Sequence, residues 1–395
     1  MKFSYIFPTL LLSVSLIFIS CSDEPSSLGV ELIGSEYITV KTYDSINDTI
    51  NQSSSYFKSV IPLGSAEWIL IGKYQEQDIE ASSLLSFIFV LSDSLKADVL
   101  ADNINVLDSW VDLYNRYTYG DTLGTMNFTV HKVNSYWSAA TFTIDSLSTL
   151  QYEANDVSSD FSINDSMYTF HLENELLLSW LKNSAENALA NNLGIYLDPT
   201  ASSNKVLGFQ ALTAFSSEAA KLKVVIEKPG SYVDTINGYI SADVSMIDSP
   251  VPSLPQGLMC VQSSVTVNSK LKFDLGELPP GLVINKAELF IKYDSLNSVK
   301  GSISNNTLSV FYLSSDDSTT TEGSALSLSY SNNQFSGVIT PFVRTWLSRN
   351  ENHGILIETG SPISGLNLFA LKGSGYNDVS ERPRLRITYT QKINQ

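Results

Sequence analysis

The chain has 395 residues, of which 41 are acidic and 24 are basic, giving a formal net charge of −17 and an isoelectric point near 4.5. Hydrophobic residues make up 43% of the sequence and aromatic residues 11%, which is enough to form packed cores and excludes a wholly disordered or collagen-like chain. The acidic excess repels phosphate backbones, so it excludes nucleic-acid binding through a basic face.

The first twenty residues have the pattern of a secretory signal peptide. Met1 and Lys2 provide a positively charged start, and an apolar run occupies residues 10–19. A helix of that length is about 15 Å long, roughly half the thickness of a bilayer's hydrocarbon core, so the run is too short to cross a membrane. Residues 1–20 are therefore predicted to be a signal peptide.

The residues before the predicted cleavage site resemble the lipobox of bacterial lipoproteins. Cys21 follows Phe18, Ile19 and Ser20, with Phe18 at the position where the lipobox usually has Leu. The resemblance implies that Cys21 becomes the lipidated first residue of the mature chain, and more than one acyl chain gives a stable membrane anchor. The alternative is an ordinary cleaved signal peptide with an incidental cysteine.

A short polar segment follows the cysteine. Ser22, Asp23 and Glu24 resemble the acidic sorting tag of surface lipoproteins in Bacteroidota and their relatives. That resemblance implies an outer-membrane protein on the extracellular face. Residues 21–36 are predicted to be the lipidated cysteine and a polar tether that lifts the folded part away from the lipid.

Beyond residue 36 the sequence is typical of an all-β protein. Short runs of alternating apolar and polar residues are separated by Asn, Asp, Ser and Gly, and many such strands favour a sandwich. The clearest runs are residues 37–43, 128–133, 287–293 and 385–389. Four prolines between positions 229 and 255 mark a stretch of little periodicity. We therefore predict two antiparallel β-sandwich domains, residues 37–230 and 231–395.

The two predicted domains contain the same motifs in the same order. Each has an apolar stripe at helical spacing that ends in a tryptophan, Trp180 or Trp346, followed by an Asn-x-Gly-Ile motif. A Phe lies 15 residues beyond the glycine of that motif in both copies. We interpret this as an internal duplication, which predicts one short helix in each domain and both tryptophans in the core.

The second copy resembles the DNRLRE family, extracellular jelly-roll modules related to the disaggregatase repeats. The matching motifs lie at residues 271–275, 278–281, 284–289, 338–346, 353–355 and 382–389. The resemblance implies two tandem jelly-roll-like domains and carbohydrate binding, because some members of the family bind polysaccharides such as alginate. The first copy matches less well, since 24 positions separate Phe87 from Val111 whereas 14 separate Phe273 from Ala287.

The residues that could carry catalysis are sparse. The three histidines, His131, His171 and His353, are far apart, and the sequence has no HExxH motif, no paired CxxC and no Gly-x-Ser-x-Gly elbow. The two copies occupy nearly all of the mature chain and leave no room for a separate catalytic domain. We therefore expect a protein that is not an enzyme, and polysaccharide cleavage is the less favoured alternative.

No cofactor is expected, although a structural Ca²⁺ stays open as an alternative. Asp316 and Asp317 form an acidic loop of the kind that binds Ca²⁺ through carboxylates, and a solvated loop is the simpler interpretation. Cys260 has no intrachain partner once Cys21 is acylated, so we expect it to be a small buried hydrophobe.

One aromatic-rich strand is the best candidate for ligand binding. Strand alternation places Val111 and Leu113 on the core side with Asn115 and Tyr117. The opposite side is predicted to be exposed and carries Trp110, Asp112, Tyr114 and Arg116. Aromatic rings stack on sugar rings, and the polar side chains between them can hydrogen-bond hydroxyl groups. The alternative is an ordinary sheet surface.

The sequence thus predicts a lipid-anchored outer-membrane protein whose tandem modules bind polysaccharide without cleaving it. The expected partners are the membrane, through the lipid anchor, and a polysaccharide. The alternative function is a structural or adhesive envelope protein whose modules contact other envelope proteins.

Overall fold

The computed structural model describes residues 38–48, 50–214, 217–279, 281–316 and 319–392. The predicted signal peptide of residues 1–20, Cys21 and the tether lie outside the described residues. In the described part, no helix is both long enough and apolar enough to span a membrane.

Strands make up most of the regular structure, which confirms the prediction of an all-β protein. The strands are β1 (Ile38–Asp44), β2 (Gln52–Lys58), β3 (Trp68–Tyr74), β4 (Ile79–Phe89), β5 (Asn105–Gly120), β6 (Phe128–Lys132), β7 (Ser158–Asn164), β8 (Met167–Leu172), β9 (Ile195–Pro199), β10 (Lys205–Gln210), β11 (Lys221–Lys228), β12 (Tyr232–Asp248), β13 (Leu258–Gln262), β14 (Val267–Phe273), β15 (Val283–Val299), β16 (Thr307–Leu313), β17 (Thr321–Ser331), β18 (Gln334–Val338), β19 (Ile355–Thr359), β20 (Leu368–Lys372) and β21 (Arg384–Lys392). The α-helices are α1 (Asp93–Leu100), α2 (Asn174–Ala185) and α3 (Thr340–Arg349). Short 3₁₀ turns lie at Gln75–Gln77, Ile144–Thr149, Leu189–Asn191, Leu212–Ala214 and Val379–Glu381.

The strands form two sheets, and each sheet closes on itself. In the sheet that holds the C-terminal strands, the hydrogen-bonded order runs β15-β18-β17-β16-β19-β14-β13-β20 and returns to β15, so the sheet is a closed barrel. In the other sheet, the order β10-β3-β4-β12-β11-β5 returns to β10. The long strands β5 and β15 make this closure possible, because each bends from one set of neighbours to another along its length.

The two sheets have matching connectivity. We call β3–β11 with α1 and α2 the first repeat, and β13–β21 with α3 the second repeat. In chain order, β3 to β11 correspond to β13 to β21. The pairings β3–β4, β4–β9, β5–β10 and β5–β11 recur as β13–β14, β14–β19, β15–β20 and β15–β21. Helix α2 follows β8 as α3 follows β18.

Each repeat is completed by a segment outside it. In the first repeat, β12 pairs with β11 through its first half and with β4 through its second half. In the second repeat the same two places are taken by β1, which pairs with β21, and β2, which pairs with β14. Residues 38–58 therefore pair with the C-terminal sheet, and β12 pairs with the N-terminal one. The membership of the two sheets does not follow the predicted segments 37–230 and 231–395.

A shared apolar core joins the two sheets. Each sheet encloses its own cluster of buried side chains, and the two tryptophans belong to these clusters, with Trp180 3% exposed and Trp346 2% exposed. A further cluster lies between the sheets and contains Trp68, Tyr117 and Cys260. The hydroxyl of Tyr117 accepts a hydrogen bond of 2.7 Å from the backbone N–H of Leu366 across this boundary. The two repeats are thus in direct contact through an apolar interface.

The Asn-x-Gly-Ile motif has the same structural role in both repeats. Gly194 and Gly354 have φ values of 82° and 83°, in the left-handed region that favours glycine. A Cβ at Gly354 would lie 2.5 Å from the carbonyl oxygen of Leu271, so the backbones approach too closely for a side chain. The Asn side chain donates to a Phe carbonyl oxygen of the neighbouring strand in both repeats, from Asn192 to Phe87 and from Asn352 to Phe273.

The prediction of one short helix in each domain is wrong for the first repeat. The ten extra residues after Phe87 include α1, which Ser92 caps by accepting a hydrogen bond of 3.3 Å from the N–H of Leu95. Only Val99 of this helix is fully buried, because the helix is short and contacts the core through few apolar residues. Its sequence therefore has only a weak apolar periodicity. That pattern is too weak to predict a helix from the sequence.

Candidate functional site

The predicted ligand-binding residues lie on the outer face of β5. Val111 and Leu113 are 0% exposed and point into the core of the first repeat, as predicted. Trp110, Asp112 and Tyr114 alternate with them and face outward between β8 and β11. The structure therefore places these three side chains in one row, on a sheet whose neighbouring strands hold it in place.

Lysine side chains from β11 cover the two aromatic rings of this row. Lys223 is paired with Trp110, and its Nζ lies 5.5 Å from the ring centroid. Lys221 Nζ lies 5.4 Å from the centroid of Tyr114. Both rings are half-buried rather than fully exposed. Such a cation–π contact stabilises an exposed site by about 0.5–1 kcal/mol, so a ligand could displace the flexible lysines.

Asp112 is more buried than the strand alternation suggests. Its side chain is 6% exposed, and its Oδ1 accepts a hydrogen bond of 2.8 Å from the hydroxyl of Thr169 on β8. The strand β8 covers this part of the row because it pairs with β5 from Val111 to Tyr114. Asp112 therefore supports the row more than it presents a free acceptor.

Arg116 lies at an irregularity in β5 that was not predicted from the sequence. The register with β10 shifts between Asn115 and Tyr117, so the strand reverses the face that each residue presents. Tyr117 consequently lies in the cluster between the sheets and not in the core with Leu113. Arg116 is exposed and forms an ion pair with Glu218, with its Nε 2.6 Å from Oε2. Hydrogen bonding from Arg116 lowers the pKa of Glu218.

The second repeat carries a related arrangement between β15 and β21. Phe290 on β15 is paired with Arg384, and the guanidinium groups of Arg384 and Arg386 lie 6.0 and 5.1 Å from its ring centroid. Glu288, which is paired with Arg386 on β21, lies 3.3 Å from its guanidinium group. An aromatic ring under cationic side chains is thus common to both repeats, but a tryptophan occurs in this row only in the first.

The histidines occupy separate places, and the structure gives each a local partner. His131 is 8% exposed, with Nδ1 3.0 Å from the carbonyl oxygens of Glu153 and Asn155. His171 Nδ1 lies 2.7 Å from Asp108 Oδ1. Among the described residues, no three His, Cys, Asp or Glu side chains form a group that could hold a metal ion.

The acidic loop considered for Ca²⁺ is described only in part. Asp316 lies 2.9 Å from Lys272 Nζ and 3.3 Å from His353 Nδ1, and the hydrogen bond from Lys272 is the main cause that lowers its pKa. Asp317 lies outside the described residues.

The partners that surround the predicted row were not predicted from the sequence. Lys221 and Lys223 lie two residues apart on β11, so their side chains share one face of that strand. This spacing predicts that both lysines lie beside the row, but only if β11 is known to pair with β5. Glu218 and Thr169 could be recognised only from the three-dimensional arrangement, because both are far from β5 in the chain. Cys21, the predicted lipidation site, lies outside the described residues.

Neither family models nor curated proteins provide a relative of this chain. A scan of protein-family models finds none that matches the chain, and a search of curated proteins finds none that is significantly similar. The likeness to DNRLRE modules therefore stays a resemblance of sequence motifs.

Proposed function

We propose that this protein is a lipid-anchored outer-membrane protein that binds polysaccharide on the extracellular face without cleaving it. In this proposal Cys21 carries the lipid, and each closed sheet is a jelly-roll-like module of the DNRLRE type. The observation that carries the binding function is the row on the outer face of β5, where Trp110 and Tyr114 lie on one side of a strand that is paired along both edges.

The geometry of the row suits an extended sugar chain. Tyr114 lies four residues beyond Trp110, a distance of about 13 Å along a strand, so the two rings can contact two different sugars of one extended chain. Aromatic rings bind the CH faces of sugars, and Lys221, Lys223 and Arg116 supply donors for hydroxyl groups at the edges of the row. Binding to a preformed row on a rigid sheet loses little conformational entropy.

The test is polysaccharide binding by residues 22–395 and by a Trp110→Ala variant. Retardation in gels that contain single polysaccharides measures the affinity. We expect the variant to bind at least tenfold more weakly, which corresponds to about 1.4 kcal/mol. Tyr136→Ala is the matched control, because Tyr136 is 77% exposed and lies outside the row. Equal retardation of the Trp110→Ala variant and the unmodified protein would contradict the assignment of the row.

A structural or adhesive function is the second candidate, and the second repeat favours it. There Phe290 lies under two arginines without a tryptophan nearby in the row, which is an arrangement that stabilises strand pairing by itself. If this candidate is correct, cross-linking on intact cells captures a defined envelope protein, and no polysaccharide retards the purified protein.

A further inference from the structure

A second surface, in the second repeat, has the form of a ligand site. A cleft with a volume of about 610 Å³ lies between the start of β2, the loop after β14 and the C-terminal end of α3. Ligand sites for small molecules commonly have volumes of about 300–1,000 Å³. The polar residues that matter for its chemistry are Gln52, Ser53, Asp274, Trp346, Asn350 and Glu351.

The corresponding place in the first repeat is filled. Helix α1, which has no counterpart among the described residues of the second repeat, packs there against α2 and adds Leu95 and Val99 to the core. The presence of α1 changes the exposure of the leucine that follows Trp180 or Trp346. Leu181 is 0% exposed, whereas Leu347 is half-buried and lines the cleft. The cleft is therefore open in the second repeat, whereas α1 fills the equivalent space in the first repeat.

Ion pairs hold that helix in its place. Lys182 on α2 lies 2.6 Å from Asp102, directly after α1, and Lys228 lies 2.6 Å from Asp98 within it. The closure of the first cleft is thus part of the folded structure, and the second cleft is the one open to a ligand.

Two residues that line the open cleft carry buried polar atoms without partners. Trp346 Nε1 and Gln52 Oε1 are both buried and have no hydrogen-bond partner among the described residues. By contrast, the Nε1 of Trp137 donates to the carbonyl oxygen of Leu193 at 2.8 Å. An unpartnered buried donor and acceptor are unfavourable unless a bound group pairs with them. A hydroxyl group can do both, since it donates and accepts.

The charges in the cleft disfavour an anionic ligand. Lys272 is the basic residue among those that line the cleft, and its Nζ lies 2.9 Å from Asp316. Asp274 and Glu351 also line the cleft and carry negative charge. Asparagine and glutamine side chains supply the remaining polar surface, next to apolar groups such as Leu347. This combination of neutral amides, acceptors and apolar patches suits a neutral polyhydroxylated ligand.

We propose that this cleft is a binding site for a segment of a neutral oligosaccharide, and that each chain has one such site because α1 closes its counterpart. This inference rests on the proposed polysaccharide-binding function, but it adds a second site, in the second repeat, and excludes uronic-acid polymers as ligands of that site.

The test uses the indole N–H signals of residues 22–395 labelled with ¹⁵N-tryptophan. The probes are cellohexaose, maltohexaose, xylohexaose and mannohexaose, with hexaguluronate as the anionic probe. We expect at least one neutral probe to shift the Trp346 signal while the Trp180 signal, which belongs to the closed counterpart, stays in place. Hexaguluronate is expected to leave the Trp346 signal unchanged.

A Gln52→Met variant provides the second measurement. It removes the buried acceptor at nearly constant size, and we expect at least tenfold weaker binding of the same probe. Gln334→Met is the matched control, since Gln334 lies in β18 of the same sheet outside the cleft. Binding that shifts only the Trp110 signal and is unaffected by Gln52→Met would overturn this inference and leave the proposed function intact. Absence of binding to every probe and every polysaccharide would overturn both.

Discussion

Asp243 is a carboxylic acid buried in the middle of β12. Its side chain is 4% exposed and lies opposite Leu85 of β4. Its Oδ2 accepts a hydrogen bond of 2.9 Å from the backbone N–H of Leu212. Burial raises the pKa of Asp243 from 3.8 to about 6, and the hydrogen bond from Leu212 offsets only part of that rise.

This raised pKa makes stability depend on pH in a defined direction. The folded state favours the protonated acid, so the contribution of Asp243 to stability is full below pH 3.8 and is lost as the pH rises through about 6. A difference of about two pKa units corresponds to roughly 3 kcal/mol at pH values above both pKa values. Asp243→Asn stays neutral at every pH and keeps a carbonyl oxygen for the N–H of Leu212.

The free energy of unfolding of both proteins should be measured by urea denaturation at pH 4 and pH 7.5. We expect the difference between variant and unmodified protein to move by about 2.5 kcal/mol in favour of the variant over this range, because pH 4 already lies slightly above the ordinary pKa of 3.8. Any change in the free energy of unfolding that the buried amide group itself causes is the same at both pH values, so it cancels when the two differences are compared. Asp248→Asn, at an exposed position of the same strand, is the control and should change stability little at either pH. A difference for Asp243→Asn that is the same at both pH values would refute the reasoning.

Three further predictions follow from the packing. Cys260 is 0% exposed and burial raises its pKa to about 12, so its thiol should react with Ellman's reagent only after unfolding; rapid reaction of the native protein would contradict its place in the core. Gly354→Ala should lower the free energy of unfolding by about 1–3 kcal/mol, more than Gly230→Ala, because a Cβ at Gly230 has nothing within 4 Å although both positions have positive φ; thermal melts giving equal losses would contradict this. Deletion of residues 38–58 should expose the C-terminal sheet to limited proteolysis before the N-terminal sheet, because it leaves β14 and β21 without those neighbours; cleavage confined to the N-terminal sheet would contradict the pairing.

Local patterns predicted much of the fold. The alternating runs became β1, β6, β15 and β21, and the apolar stripes that end in Trp180 and Trp346 became the helices α2 and α3. These elements could be predicted because hydrophobic periodicity reports which side of an element faces the core. The repeated Asn-x-Gly motif was also readable, since a glycine such as Gly354 is required where two backbones come close together.

The features that the sequence did not reveal depend on distant parts of the chain. Nothing local indicates that residues 38–58 take the place in the C-terminal sheet that β12 takes in the other. The register shift near Arg116 has no sequence signature. Because of this shift, Tyr117 lies in the cluster between the sheets and not in the core of the first repeat, where it was predicted.

The candidate site likewise combines features that local sequence predicts with features that depend on distant parts of the chain. Trp110 and Tyr114 were placed on the outer face correctly, because two-residue alternation is enough for that step. The lysines over their rings and the hydrogen bond from Thr169 to Asp112 depend on which strands become neighbours. The cleft beside Trp346 is open because the described residues of the second repeat contain no counterpart of α1, and the sequence motifs that the repeats share do not reveal this difference.

The most direct test of the central proposal combines binding and cleavage in one sample. Residues 22–395 are incubated with a panel of insoluble polysaccharides, and the protein left in solution and the reducing ends released are both measured. The proposed function predicts that at least one polysaccharide removes the protein from solution while no reducing ends appear above the protein-free blank. Release of reducing ends, or full recovery of the protein in solution with every polysaccharide, would contradict it.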